Sequence, residues 1–449
     1  MNSLSINKQV LRLAIPSILA NITVPLVGIV DLAIAGHIGD AATISGVAVG
    51  TMLFDLLYWN FGFLRAGTGG ITAQAYGRKD FKAAINTFLQ GISTSLGAAL
   101  MILIIQWVYV MLAFIMVDCS AEAKELAEKY FFIRIWAAPA TLSLMVFKGW
   151  FIGMQNNVLS VTLDIFVNVV NAALSYMFAV PMGLGIAGIA YGTLAAQYSG
   201  LLLSIILLTV NFKQYFHLMN FRDSLIWKNI SGFFKLNSNL FIRSIMMLVI
   251  YIGFTIIASR YGDTQLAVSN IMMKLLLLYS YALDGFAYAA EALCGKYIGA
   301  KEKRNLLKTI KVVFIWTGVL GVVSTALYGI AGNFFCRIFT NDAQVLAAFE
   351  PYMFWLLLMP ILSCIAFTWD GIYIGATAST ALRNCMLLAA PAFLLVYFCF
   401  ESSLSIQALY LAYFTHLLVR SVYMTLVWKR NVLQRALFPE NAVDRATAA

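Results

Sequence analysis

Charged residues are scarce in this 449-residue sequence. Asp, Glu, Lys and Arg make up 11% of the chain, whereas hydrophobic residues make up 61%. A soluble globular protein carries about 25% charged residues, which cover its surface in water. The composition therefore excludes a soluble enzyme, a nucleic-acid-binding protein and a disordered protein. The chain also lacks the alternating ten-residue pattern of a transmembrane β-barrel. Because backbone groups in hydrocarbon must pair within a helix, we predict an all-α integral membrane protein.

Potential metal ligands are few and scattered. The six cysteines lie mostly inside apolar runs, and the three histidines have no metal-binding spacing. Free cysteine in an apolar environment behaves as a small hydrophobic side chain. A membrane-embedded enzyme would need a catalytic histidine or paired acids on a sizeable aqueous loop, and no loop is long enough. We therefore expect no enzyme activity, no catalytic residue, no metal site and no cofactor.

Apolar runs separated by polar residues predict twelve transmembrane helices, since each run has about the 20 residues that a helix needs to cross a bilayer. The runs are approximately 10–35, 46–70, 84–116, 130–153, 158–180, 186–210, 238–259, 267–292, 310–333, 350–375, 383–400 and 404–428. A more polar stretch, 211–236, divides the chain near its middle. We therefore predict an N-terminal lobe of six helices over 1–218 and a C-terminal lobe of six helices, with a cytoplasmic tail, over 219–449.

Basic residues are unevenly distributed between the predicted loops. Twenty Lys and Arg residues, including Arg383, Lys429 and Arg430, lie near span ends on one side, and four lie on the other. Lys and Arg accumulate in cytoplasmic loops. We therefore expect a multi-pass protein of the plasma (inner) membrane with both termini in the cytoplasm. This placement explains the net charge of +10 without a nucleic-acid partner.

The two halves of the chain are similar at an offset of 222 residues. Gly149 and Gly153 fall on Gly371 and Gly375, and the basic loop GRKDFK after the second run falls on GAKEKR after the eighth. Agreement of helices and loops at one offset indicates an internal duplication. Since six helices per half is an even number, we expect two six-helix lobes of the same topology, related by a pseudo-twofold axis along the membrane normal.

Six acidic residues lie within the predicted spans, where an ionisable residue costs about 2.5–3.5 kcal/mol on insertion scales and is a candidate functional residue. They are Asp31, Asp55, Asp164, Asp284, Glu291 and Asp370. Asp164 lies near a predicted helix start, where an acid is more often a cap than a site.

Asp31 is the strongest of these candidates. No Lys or Arg lies within two helical turns of it in the sequence. Burial disfavours the charged form of a carboxyl group, so an acid held near neutral can take up a proton on one side and release it on the other. Pro16 and Pro25 remove backbone hydrogen bonds on its cytoplasmic side, so the first helix can bend. We interpret Asp31 as a proton carrier; the alternative is a hydrogen bond to an Asn or Ser across the lobe.

A second group of charged residues lies in the predicted C-terminal lobe. It comprises Arg243, Lys274, Asp284, Glu291 and Asp370. Asp284 and Glu291 are seven residues apart, which places them on one helix face. If all five meet, three acids against two bases leave one carboxylate without a full partner. These residues are either internal salt bridges or a functional site.

Several motifs resemble the multidrug and toxic compound extrusion (MATE) family, in its DinF-like branch. They are Pro16 and Asp31 followed by the turn AGHIGD at 35–40, NVVNAALSYMF at 168–178, GIAGIAYGTLAAQ at 185–197, YALDGFAYAAEALCGKYIGA at 281–300 and TWDGIYIGATAST at 368–380. The resemblance covers nearly the whole chain. It implies a V-shaped, twelve-helix antiporter that exports cationic or amphipathic small molecules against inflow of H⁺ or Na⁺.

The resemblance also implies roles for residues around Asp31. In related proteins an acid at this position is the proton carrier, and some members surround it with an Asn and a second Asp on the fifth helix and a Thr on the sixth. Asn171 and Thr193 match those positions, and Asn168 lies in the same motif. Ser175 stands where the second Asp would be, so the chain departs from the pattern there.

The choice of coupling ion depends on the second half. In the sodium-coupled NorM-like branch, acids on the seventh and tenth helices bind the cation. Asp370 matches the latter acid, whereas Arg243 lies in the stretch of the former. Because a basic residue there would repel Na⁺, we favour proton coupling. Na⁺-coupled antiport through the C-lobe acids and a lipid-linked precursor flippase of the same superfamily are the alternatives. We expect a monomer in the lipid bilayer.

Overall fold

The computed structural model describes residues 5–117, 119–340 and 342–434, none of which forms a strand. Their long helices are α1 (Ile6–Ile38), α2 (Ala41–Gly77), α3 (Phe81–Met116), α4 (Ala121–Gly153), α5 (Asn157–Ala179), α6 (Gly185–Phe212), α7 (Trp227–Ser259), α8 (Asp263–Gly299), α9 (Lys303–Phe339), α10 (Ala343–Gly375), α11 (Ser379–Leu404) and α12 (Gln407–Trp428). Short 3-10 turns lie within α2, α4 and α10. The predicted all-α fold is confirmed.

Each predicted transmembrane run coincides with one of these helices. Among the described residues, eleven helices are long and apolar enough to cross a membrane. The remaining one, α12, has 22 residues and carries the buried polar side chains His416, Arg420 and Ser421. Most helices extend past the predicted runs. Hydropathy marks only the part within hydrocarbon, whereas backbone hydrogen bonding continues into the interface.

Acidic residues in the connections begin two of the helices. The Thr43 amide donates to the Asp40 carboxylate before α2, and the Ala83 amide donates to the Asp80 carboxylate before α3, each at 3.0 Å. An Asp at this position satisfies a backbone donor that the first turn leaves unpaired. The hydrogen bond from the Thr43 amide also holds the pKa of the Asp40 carboxyl below its usual range.

The described residues form two compact units. The first-half unit comprises Leu19–Tyr76 and Asp80–Phe234. The second-half unit comprises the described residues up to Ile18, Gly77–Lys79 and those from Lys235 onward. Helix α1 therefore starts in the second-half unit and continues in the first-half unit. The division into lobes at 218 and 219 stays a prediction.

The same close helix crossing occurs in each unit. In the first-half unit, a Cβ at Gly149 on α4 would overlap the carbonyl oxygen of Arg65 on α2. In the second-half unit, a Cβ at Gly371 on α10 would overlap the carbonyl oxygen of Ala287 on α8. Glycine is required at both positions because the backbones approach too closely for a side chain. Gly371 lies 222 residues after Gly149, and Ala287 lies 222 residues after Arg65. The repeat found in the sequence is therefore also present in the helix packing.

Aromatic residues fill the core of each unit. In the first-half unit, Trp150 of α4 packs against Phe88 of α3 and Phe212 of α6, with ring centroids 5.5 and 4.8 Å apart. In the second-half unit, Phe254 of α7 packs edge-on against Tyr410 of α12 at 5.7 Å. Such pairs contribute packing beyond simple area burial. They fix the helices that carry the charged residues described below.

Candidate functional site

Asp31 lies on α1 in the first-half unit, and 4% of the residue is exposed. The Ser175 side chain of α5 interacts with its carboxyl group, and the Arg134 guanidinium of α4 lies close enough to act on its charge. Within the described part of the chain, Asp31 Oδ1 is buried without a hydrogen-bond partner. Asp31 is therefore a buried acid whose two oxygens are not both satisfied.

Arg134 is the basic residue that the sequence around Asp31 does not show. Its Nη1 donates a 2.6 Å hydrogen bond to the Tyr130 hydroxyl, and its guanidinium lies 4.6 Å from the centroid of the Phe54 ring. These contacts hold the cation near Asp31, although the two form no ion pair among the described residues. The acid thus has a nearby positive charge that is anchored elsewhere.

A polar network on α5 and α6 lies beside Asp31. The Asn171 side-chain amide donates to the Thr193 hydroxyl at 2.8 Å, and this hydroxyl donates to the Ile189 carbonyl at 3.2 Å. Ser175 also donates to the Ile189 carbonyl, at 3.3 Å. Since Asn171 and Ser175 are four residues apart, they share one face of α5. The structure therefore brings Asp31, Asn171, Ser175 and Thr193 into one region.

Helix α1 is anchored near its start and near its middle. Near its start, the Tyr297 hydroxyl of α8 donates to Gln9 Oε1 at 2.9 Å within the second-half unit. Farther along, Asn168 Nδ2 of α5 donates to the Thr23 hydroxyl at 2.8 Å within the first-half unit. Pro16 and Pro25 lie between or beside these anchors, in a helix that is continuous from Ile6 to Ile38. The proposed bending of α1 stays a prediction.

In the second-half unit, two arginines share one carboxylate oxygen. Asp370 Oδ2 on α10 accepts hydrogen bonds from Arg243 Nη2 on α7 and Arg420 Nη2 on α12, both at 2.6 Å. Arg420 and Asp370 are buried, whereas the Arg243 side chain is 15% exposed. We call Arg243, Asp370 and Arg420 the ion triad. Charge-assisted hydrogen bonds of this kind are shorter and stronger than those between neutral groups.

The other members of the predicted second-half group lie along α8. Lys274 is exposed, and its ammonium lies 5.8 Å from the centroid of the Phe339 ring. Lys274 lies ten residues before Asp284, or about 15 Å along the helix axis. Asp284 lies seven residues before Glu291, or about 10 Å along the axis. Asp284 and the ion triad both lie near Tyr251. Glu291 is 1% exposed, and α10 crosses beside it at Gly375.

Sequence reasoning missed Arg420 and misread Asp164. Arg420 interrupts the apolar run LLVRSVY, and that interruption is the signal that could have identified it. Asp164 was expected to cap a helix, but it lies about two turns inside α5. Its carboxylate instead pairs with Lys148 of α4 at 2.8 Å. The pairing occurs because adjacent helices in a bundle satisfy ionised side chains across their interface.

The two halves therefore offer different chemistry. Asp31 has no direct ionic partner in the described residues, so its charge can change without breaking an ion pair. The Asp370 carboxylate, by contrast, is bound by two guanidinium groups. No group of three or more His, Cys, Asp or Glu residues in the described ranges could hold a metal ion.

Comparison with known proteins identifies sequence relatives. The MatE family model matches residues 16–177 and 240–400. The chain is 31% identical to DNA damage-inducible protein F of Escherichia coli strain K12, over 95% of this chain and 93% of that protein. It is 25% identical to the probable multidrug resistance protein NorM of Photorhabdus laumondii, over 76% and 75% of the two chains.

Solved structures show the same fold. A MOP superfamily transporter from Pyrococcus furiosus aligns with a TM-score of 0.85 and 16% identity, over 97% of both chains. The Vibrio cholerae MATE transporter VcmN in the bent form aligns with a TM-score of 0.84 and 14% identity, over 96% of this chain and 98% of that one. At these identities the likeness concerns the fold alone.

Proposed function

Because the chain belongs to the MATE family of transporters, we propose that it exports cationic or amphipathic small molecules in exchange for protons. Asp31 is the proton carrier in this proposal. The protein works as a monomer in the plasma (inner) membrane with both termini in the cytoplasm, in keeping with the distribution of its basic residues. No enzymatic step and no cofactor take part.

The observation that carries the proposal is the contrast between Asp31 and Asp370. Asp31 is buried, and its Oδ1 has no hydrogen-bond partner in the described part of the chain. Ionising such a carboxyl group is costly because the charge is buried without a full set of partners. The protonated group is neutral, and its O–H can donate a hydrogen bond. Two arginines already bind the Asp370 carboxylate. The unpartnered Oδ1 therefore favours Asp31 as the group that exchanges protons.

Helix α1 is the element through which protonation of Asp31 causes a conformational change in this proposal. Asp31 and Thr23 lie in the part of α1 that packs in the first-half unit, whereas Gln9 lies in the part that packs in the second-half unit. Pro16 and Pro25 weaken the backbone hydrogen bonding of the same helix. A change in charge at Asp31 would alter its contacts with Ser175 and Arg134. We propose that this change shifts the bend of α1 and thereby alternates access to the substrate site.

The ion triad argues against sodium coupling through the second half. A Na⁺ ion at Asp370 would have to displace Arg243 or Arg420, or lie beside two positive charges. Electrostatic repulsion makes either arrangement unfavourable. The ion triad therefore supports the proposal of proton coupling through the first half.

Transport in proteoliposomes tests the proposal. We would measure accumulation of a cationic dye driven by a pH gradient, with and without Na⁺, for the unmodified protein, Asp31→Asn and Asp164→Asn. Asp164 is a matched control because it is an acid in the same unit, paired with Lys148 and not part of the Asp31 region. Asp31→Asn should lose pH-driven accumulation while Asp164→Asn retains it. Unchanged accumulation in Asp31→Asn would refute the carrier role, and accumulation driven by Na⁺ alone would refute proton coupling.

A further inference from the structure

Arg383, on the first turn of α11, is held in place by uncharged groups. Its Nη1 donates to Asn239 Oδ1 at 2.9 Å, and its Nε and Nη2 donate to Asn384 Oδ1 at 3.1 and 2.9 Å. Asn239 in turn donates to the hydroxyl groups of Ser379 and Thr380 at 3.2 and 3.3 Å. The guanidinium is therefore oriented by a network that contains no carboxylate among the described residues.

This arrangement leaves a positive charge without a counter-charge. Amide oxygens satisfy individual N–H groups but do not neutralise a guanidinium, which has five donors in all. Arg383 is partly buried and lies four residues beyond Ser379, or about 6 Å into the helix that starts there. A partly buried charge is costly unless it is paired with an opposite charge. The arrangement therefore favours binding of an anion.

Two further side chains lie near this network. Tyr423 on α12 interacts with the Asn384 side chain, and both Arg383 and Arg430 lie close enough to act on its hydroxyl group. Arg430, just beyond the end of α12, is exposed. Two guanidinium groups near one phenol suit a phosphate, because the planar N–H pairs of arginine bind its oxygens in a bidentate manner.

Both helices also carry exposed apolar side chains close to these residues in the chain. Leu387 and Leu388 on α11 are 43% and 54% exposed, and Val422 and Leu426 on α12 are 54% and 75% exposed. An acyl chain would cover such side chains, whereas a free phosphate ion would not. The phosphate group and the apolar surface together fit a phospholipid.

We propose that Arg383, Tyr423 and Arg430 bind the headgroup phosphate of an anionic phospholipid in the cytoplasmic leaflet. We call these three residues the phosphate site. The site lies within the second-half unit and does not depend on the transported substrate or on the coupling ion. The cytoplasmic assignment follows from the distribution of Lys and Arg in the sequence.

Native mass spectrometry of the full-length protein in detergent tests the proposal. The probes are phosphatidylglycerol, phosphatidylcholine and inorganic phosphate, and the measurement is the affinity for the first bound molecule. Arg383→Gln and Arg430→Gln should each weaken the first phosphatidylglycerol about tenfold, as expected for the loss of a charge-assisted contact. Lys429→Gln is the matched control, since it removes the neighbouring charge, and should cost clearly less. Because Arg430 is exposed, its substitution does not threaten folding.

Three outcomes would overturn the proposal. Equal losses for Arg430→Gln and Lys429→Gln would indicate a diffuse electrostatic attraction instead of a site. Equal affinity for the two lipids would exclude selection for an anionic headgroup. Inorganic phosphate that displaces phosphatidylglycerol at equal concentration would make the free ion the ligand.

Discussion

Removing Asp370 should destabilise the protein more than removing Arg420, and removing both should be less harmful than removing Asp370 alone. Asp370→Asn leaves Arg243 and Arg420 facing each other without the carboxylate that both contact at 2.6 Å. Arg420→Met keeps the Asp370–Arg243 pair intact. In the double variant, the fully buried guanidinium is gone, and Arg243 is 15% exposed and can reach water. The stability lost in the double variant should therefore be smaller than the sum of the losses in the two single variants.

The expected sizes follow from burial and distance. Two unit charges about 4 Å apart attract by about 4 kcal/mol at an effective dielectric constant of about 20. Breaking a buried pair by removing one partner costs about 3–5 kcal/mol, which we expect for Asp370→Asn. Arg420→Met should cost about 1.5–3 kcal/mol, the contribution of a hydrogen bond to a charged group. The double variant should regain about 1–4 kcal/mol relative to Asp370→Asn, as when an apolar residue replaces a buried charge.

Unfolding by denaturant in detergent micelles measures these differences. Asp164→Asn serves as the control, because Asp164 and Lys148 are about a quarter exposed and their pair should contribute about 1 kcal/mol or less. A double variant that is less stable than Asp370→Asn by the full Arg420→Met loss would refute the reasoning. The two arginines would then act independently, and the shared carboxylate would not be what holds them together.

Three further predictions concern packing, capping and the polar network. Gly371→Ala should destabilise the fold by about 1–3 kcal/mol through overpacking, whereas Gly318→Ala, which meets open space, should not; thermal unfolding compares them. The Asp40 carboxyl should titrate below the usual aspartate range in an NMR experiment. Because its folded-state pKa is depressed, its contribution to stability is present at neutral pH and is lost as pH falls through that lowered pKa. Thr193→Val should cost about 1–3 kcal/mol by leaving the Asn171 amide without its acceptor, whereas Thr193→Ser should restore it, as unfolding of the two variants would show.

The sequence was informative wherever a property is local. A helix in hydrocarbon needs a continuous apolar run, so the runs predicted the positions of the long helices before any contact was known. The duplication was also visible, since Gly149 and Gly371 occupy equivalent positions in the two halves. Asp31 could be singled out because an acid within such a run is unusual whatever surrounds it.

Prediction was incomplete where the partner lies on another helix. The sequence places Arg243 and Asp370, 127 residues apart, in one charged group, and the two do form an ion pair. It does not reveal Arg420, which lies 50 residues from Asp370 and contacts the same oxygen. The position of Asp164 in the sequence suggests a helix cap. In the structure, Asp164 pairs with Lys148, which lies on the preceding helix.

The sequence by itself therefore determined that this is an all-α membrane protein with a repeated set of helices and a lone acid in the first of them. Only the tertiary structure decided which charges are paired. Hydropathy depends on each residue and its neighbours in the chain, whereas an ion pair depends on which helix faces meet. That geometry is why Asp31 is left with an unsatisfied oxygen among the described residues and Asp370 is held by two arginines.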